Sequence, residues 1–167
     1  AGLIYGCAIA DCIGVQVEGR KVDEIKERFP TGVTDMPSQD MRGIVHGDWT
    51  DDTDQLICLL DTLTETNLNY NMSLFADKIY NWCKHGYPEL GDLAGMGLGQ
   101  LTARVISKDC FKRSPMRAAI EAYKELGHRL APNGAIMRCG IAAICPQWKS
   151  VAIKQCVITH VDCRCIF

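Results

Sequence analysis

Apolar residues in this chain recur at helical spacing, and no segment sustains the apolar–polar alternation and β-branched enrichment of a half-buried strand. That pattern restricts the chain to helix packed on helix. The segment 114–126 carries it most clearly. Ser114 can cap, Pro115 takes the first helical position and Gly127 can terminate, while Met116, Ala119, Ile120, Tyr123 and Leu126 mark one face. The same reading predicts helices near 51–64, 72–85, 94–107, 134–145 and 148–160. Leu3–Val17 is apolar almost all round, which predicts a buried helix. Val105-Ile106 and Val157-Ile158-Thr159 are too short to outweigh their helical context. Residues 19–49, with Pro30, Gly32, Pro37 and Gly43, read as a long polar connection holding a short helix around Asp23–Arg28. Connections of that length in a compact domain are usually functional. The expected fold class is all-α.

The 167 residues suit a single domain spanning 1–167, with 47% hydrophobic and 23% charged residues. A net charge of -2 and the absence of a basic stripe exclude a nucleic-acid footprint and a membrane-surface patch. Asp11, Lys108 and Lys154 interrupt the apolar stretches before a bilayer-spanning length is reached. The ten cysteines form no CxxC pair, and most sit in apolar helical runs where a thiol packs as a small hydrophobe. Reduced thiols and a cytosol-like compartment, hence a cytoplasmic protein, are expected.

Chemistry concentrates at Trp49-Thr50-Asp51-Asp52-Thr53, just ahead of the apolar run Leu56, Ile57, Leu59, Leu60 and Leu63. Adjacent carboxylates repel, so they call for a cation or a set of N–H donors. A hard divalent metal wants this oxygen set, and a helix N-terminus also wants Thr and Asp in its cap and first turn. Both readings stand. Asp11, inside an apolar helix, is expected to face N–H donors, a cation or a polar pocket, or else to lie on a narrow solvated face. Glu18 alone reads as an ordinary exposed acid. Asn133-Gly134, after Pro132, reads as a helix start whose free N–H groups suit a phosphate, or as a plain turn. Met137 and Arg138 read as packing and a structural ion pair. His160 reads as a capping or surface residue, as do His46, His85 and His128. Trp49, Trp82 and Trp148 read as core or lid aromatics, and Gly95-Met96-Gly97-Leu98-Gly99 as close helix packing.

Taken together and in order, these pieces resemble the ADP-ribosylglycohydrolase family. Gly6-Cys7-Ala8-Ile9-Ala10-Asp11-Cys12-Ile13-Gly14 resembles its opening helix, with Glu18 at the following acidic position. Trp49-Thr50-Asp51-Asp52-Thr53 resembles its metal-binding signature. Asn133-Gly134-Ala135-Ile136-Met137-Arg138 resembles its NGAxMR element, and Thr159-His160-Val161-Asp162 its TH motif. Glu89-Leu90-Gly91-Asp92 and Gly97-Leu98-Gly99 resemble a eukaryotic-type branch. The resemblance implies a multi-helix orthogonal bundle that hydrolyses the bond joining ADP-ribose to an acceptor, with ADP-ribose or an ADP-ribosylated protein as partner. It implies a two-metal site for Mg²⁺ or Mn²⁺ with Thr50, Asp51 and Asp52 as ligands, and catalytic roles for Glu18 and Asp51. Asn133 and Gly134 would line the ADP-ribose pocket, and His160 would contact ribose. The family pattern carries a second cluster of aspartates and a threonine that these residues do not contain. The expectation is therefore half of a two-metal site, weak or inactive alone, completed by a C-terminal portion or a protein partner. The alternative is a non-catalytic structural or ADP-ribose-binding member.

Overall fold

The computed structural model describes residues 1–36 and 47–166. The described residues are helical and contain no strand. The helices are α1 (Gly2–Gly14), α2 (Val22–Arg28), α3 (Asp51–Glu65), α4 (Met72–His85), α5 (Gln100–Ile106), α6 (Pro115–Glu125), α7 (Trp148–Cys156) and α8 (Cys163–Ile166). Short 3₁₀ turns lie at Pro88–Leu90, Asn133–Ala135 and Cys139–Ile144. His46, Pro37 and Gly43 fall outside the described residues.

The central element is α3. Thr50 holds its N-cap with its side chain accepting from Asp52 N–H, and Asp51, Asp52 and Asp54 place negative charge in the first turn, where the helix dipole favours it. Its apolar face, Leu56, Leu59 and Leu63, is buried against Phe75, Ala76, Ile79 and Trp82 of α4. The Asn71 side chain caps α4 by accepting from Leu74 N–H at 3.0 Å, and Gly86, at φ 59°, ends it in a backbone conformation that glycine adopts without strain. Leu101 and Val105 of α5, with Phe111, Ile141, Val151 and Ile158, complete one contiguous core.

Four expectations about elements need correction. Helix α1 forms, but only Cys12 of it is buried; Leu3, Tyr5 and Ile9 are exposed, Tyr5 at 69%. Apolar composition all round leaves the choice of buried face to tertiary packing. In α6 the buried face is Pro115, Ala118, Ala119 and Ala122, while Met116 and Ile120 stand exposed. A stripe of small residues lets α6 lie close against α5, and Ser114 occupies the cap position without a side-chain hydrogen bond. The helix expected over 94–107 is only Gln100–Ile106, because Gly95, Gly97 and Gly99 hold the preceding chain in an open loop. The helix expected over 134–145 is a pair of 3₁₀ turns, with Ile136 N–H donating to Asn133 O and Cys139 N–H to Ile136 O. Gly134 and Gly140 weaken helix there, and the turn swings Arg138 into the core.

Candidate functional site

Distant parts of the chain line one open cleft of about 590 Å³. Asp11 and Glu18 come from α1 and the turn after it, Thr50 to Thr53 from the start of α3, and Asn133, Gly134, Met137 and His160 from the opposite wall. Gly97, Gly99 and Thr102 join from the loop into α5.

The acidic wall is held together by Asp11. One of its carboxylate oxygens accepts from Thr50 N–H at 3.0 Å, Thr53 N–H at 3.2 Å and Thr53 Oγ1 at 2.7 Å, and the other from Thr50 Oγ1 at 2.8 Å. The carboxylate thus takes orphan donors from the N-terminus of α3 and pins α1 to it. Of the readings left open for Asp11, the N–H donors are present, and the residue also lines the polar cleft.

Asp51 accepts from Gln55 Nε2 at 3.0 Å. Its carboxyl is pushed up to about 8, first by burial and then by the charges of Asp52, Asp11, Asp54 and Glu18. Burial, with Asp11 and Glu18, pushes Asp52 up to about 6. Glycine is required opposite: Gly97 has φ 81°, and a Cβ there would lie 2.7 Å from Asp51 Oδ1. Glu18 is exposed at the rim. Among the described residues no group of three or more His, Cys, Asp or Glu is arranged to hold a metal. The available set is the Thr50 hydroxyl with two crowded carboxylates.

Behind this wall, Asp54 joins two indoles. Trp49 Nε1 donates to one oxygen at 2.7 Å and Trp82 Nε1 to the other at 2.8 Å, tying the residue before the cap to α4. Trp49 and Trp82 are therefore structural aromatics, whereas Trp148 is half exposed at 50%.

The opposite wall differs from expectation in two ways. His160 is neither cap nor surface: it is 0% exposed and lines the cleft. Burial, then the charge of Arg138, lowers its pKa to about 3, so the ring is neutral at physiological pH. Arg138 is fully buried and, among the described residues, has no carboxylate partner. It donates to Gln155 Oε1 at 2.7 Å, Gln55 Oε1 at 2.6 Å, Gln155 O at 3.0 Å and Thr159 Oγ1 at 2.6 Å, and lies 5.4 Å over the Phe75 ring. The expected ion pair is replaced by neutral acceptors. Asn133 is exposed, and Gly134 meets the cleft beside His160. His128, with φ 58°, packs edge-on against Tyr123 outside the cleft.

Compared with known families, residues 1–167 match the ADP-ribosylglycohydrolase model throughout. The chain belongs to the ADP-ribosylglycohydrolase family. It is 25% identical over 166 residues to the ADP-ribosylarginine hydrolase Tri1 of Pseudomonas putida (strain GB-1), covering 95% of this chain and 40% of that protein. It is 31% identical over 85 residues to the ADP-ribosylarginine hydrolase Tri1 of Serratia proteamaculans (strain 568), covering 51% of this chain and 21% of the relative. An uncharacterized protein of Archaeoglobus fulgidus is 30% identical over 79 residues, 47% of this chain and 25% of its own length. The chain thus spans two-fifths or less of these curated relatives. No solved structure matches.

Within this family member, the sequence reading gathered Thr50, Asp51, Asp52, Glu18, Asn133, Gly134 and His160, and all of them line the cleft. It assigned no site role to Gly97, Thr102 or Gln55. Gly97 alone carried a signal, in the glycine spacing of 95–99.

Proposed function

We propose that this chain carries an ADP-ribose site of an ADP-ribosyl hydrolase, with an ADP-ribosylated protein as substrate. The observation that carries the reading is the convergence of Asp51 and Asp52 with Gly134 and His160 on one cleft of about 590 Å³, a volume suited to a small-molecule ligand.

The donor set fits a hard cation such as Mg²⁺ or Mn²⁺. Asp51 and Asp52 are crowded carboxylates whose ionisation is suppressed by burial and by their acidic neighbours, which a cation reverses. Thr50 Oγ1 donates to Asp11 and accepts a 3.3 Å bond from Asp52 N–H, leaving a lone pair for a ligand. When bound, divalent metal would orient ribose hydroxyls and raise the acidity of a coordinated water. The protein's own part is to hold that wall rigid. Asp11 fixes Thr50 and Thr53, Gln55 fixes Asp51, and Gly97 leaves space beside it. Glu18, at the rim of the cleft, would face the ribose and assist proton transfer. Asn133 and Gly134 flank the sugar from the opposite side.

Release of ADP-ribose from an ADP-ribosylated arginine peptide, followed by mass spectrometry with and without Mg²⁺, tests the reading. Mg²⁺-dependent binding of ADP-ribose with little turnover by these residues alone is the expected result. A second reading is an ADP-ribose binder without turnover, for which no release occurs under any metal condition. No response to either Mg²⁺ or ADP-ribose contradicts both.

A further inference from the structure

His160 is completely buried, yet its Nε2 is the one buried side-chain nitrogen or oxygen without a hydrogen-bond partner among the described residues. Leaving such a group unpaired is unfavourable, so its orientation calls for a ligand atom. That nitrogen faces the cleft wall at Gly134. A Cβ at Gly134 would lie 3.2 Å from His160 Nε2, 3.0 Å from Cε1 and 3.2 Å from Thr102 Oγ1. Glycine at this position keeps the approach to Nε2 open.

The proton on the ring is decided from behind. His160 Nδ1 lies 2.7 Å from Thr159 Oγ1, and Thr159 Oγ1 lies 2.6 Å from Arg138 Nη2. A guanidinium can only donate, so the Thr159 oxygen accepts from it. The Thr159 proton is then directed to the acceptor within reach, His160 Nδ1. A neutral imidazole that accepts at Nδ1 carries its hydrogen on Nε2. The same logic sets the neighbouring amides. Gln155 turns its oxygen to Arg138 Nε and its nitrogen to Ala135 O at 2.9 Å, and Gln55 turns its oxygen to Arg138 and its nitrogen to Asp51. A donor-only group at the centre thus orients hydrogen bonds out to both walls of the cleft.

We propose that Arg138 and Thr159 are positioning residues that fix His160 as the Nε2–H tautomer, so that it presents a hydrogen-bond donor to an acceptor oxygen of the bound ligand. In this tautomer Nε2 cannot bind a metal or accept a proton. The ligand atom is an oxygen with a free lone pair, a ribose hydroxyl or ring oxygen if the ADP-ribose reading holds, and that part of the inference rests on it.

The test reads the ring directly. Long-range ¹H–¹⁵N correlation on ¹⁵N-histidine-labelled protein without ligand, at neutral pH, is expected to show His160 with a protonated Nε2 and an unprotonated Nδ1. An Nδ1–H tautomer or a tautomer mixture in the unsubstituted protein overturns the proposal, and this reading needs no variant to fold. Thr159→Val, which keeps shape and removes the hydroxyl, is expected to lose the single tautomer and to weaken ADP-ribose binding about tenfold. Thr159→Ser is expected to restore both, and equal tautomer signals in all three proteins contradict the role of Thr159. Addition of ADP-ribose is expected to shift the Nε2–H proton. Saturable ADP-ribose binding that leaves the Nε2–H proton unshifted refutes the donor-to-ligand half alone, whereas no binding at all refutes the ADP-ribose reading, and in both cases the positioning half stands.

Discussion

Asp11 shows how one half-buried carboxylate can organise a site. It receives four hydrogen bonds from Thr50 and Thr53, two of them from backbone N–H groups at the start of α3. Asp11→Ala leaves those donors without a partner and is expected to cost about 2–4 kcal/mol in chemical denaturation. A loss under roughly 0.5 kcal/mol, the range of an ordinary surface substitution, contradicts this placement. His160 supplies the pH dependence. Its folded pKa of about 3 lies below the ordinary 6.5. Its contribution to stability is therefore complete above pH 6.5 and is lost as the pH falls toward 3, because the unfolded chain takes up a proton that the buried ring refuses. The stability difference between the unsubstituted protein and His160→Gln is expected to shrink from pH 7 to pH 4. A difference that is constant or grows on acidification counts against a buried neutral ring. The polar character of Asp11's surroundings was legible from its interruption of an apolar run. The burial of His160 was not, since nothing local distinguishes it from a surface histidine; its environment is made by Arg138 and Gly134, distant in sequence.

Among the elements, α3 was the most legible, because cap, acidic first turn and apolar stripe all point to one start and one buried face. The cap reading of Thr50 is realised, and the capping hydroxyl and the first-turn carboxylates line the cleft. Helix α6 was legible in its ends and misleading in its face. Size suggested that Met116 and Ile120 pack inward, whereas close approach to α5 selects alanines. Ala119→Leu is accordingly expected to destabilise by about 1–3 kcal/mol through overpacking, while Met116→Lys stays within about 0.5 kcal/mol. The reverse ranking in thermal or urea unfolding restores the original face. The loop into α5 makes a second case. Gly97→Ala forces a Cβ to within 2.7 Å of Asp51 Oδ1 at a backbone φ of 81°. It is expected to lower both stability and the Mg²⁺-induced rise in melting temperature, and unchanged Mg²⁺ response contradicts the closeness of this loop to the acidic wall.

For the whole molecule, fold class followed from periodicity alone, while the site required the order of motifs. Composition excluded rather than identified: no helix among the described residues is long and apolar enough to cross a membrane. The ten cysteines are all free thiols. Thermal unfolding is therefore expected to be the same with and without a reducing agent, and a lower midpoint on reduction contradicts this. Periodicity did not supply the meeting of the two walls; the order of motifs brought their residues together, and only the link behind them was illegible. Asp51 and His160 share one cleft and are joined behind it by the hydrogen bonds of Gln55, Arg138 and Thr159. The most direct measurement of that claim is isothermal titration of ADP-ribose into the protein with and without Mg²⁺, repeated on Asp51→Asn and Gly134→Ala. Saturable binding with a Kd in the roughly micromolar-to-millimolar range, tightened by Mg²⁺, is expected. Asp51→Asn should lose the Mg²⁺ effect, and Gly134→Ala should weaken binding with or without metal. No binding up to several millimolar ADP-ribose, a range that reaches very weak sites, or binding untouched by both substitutions, would contradict it.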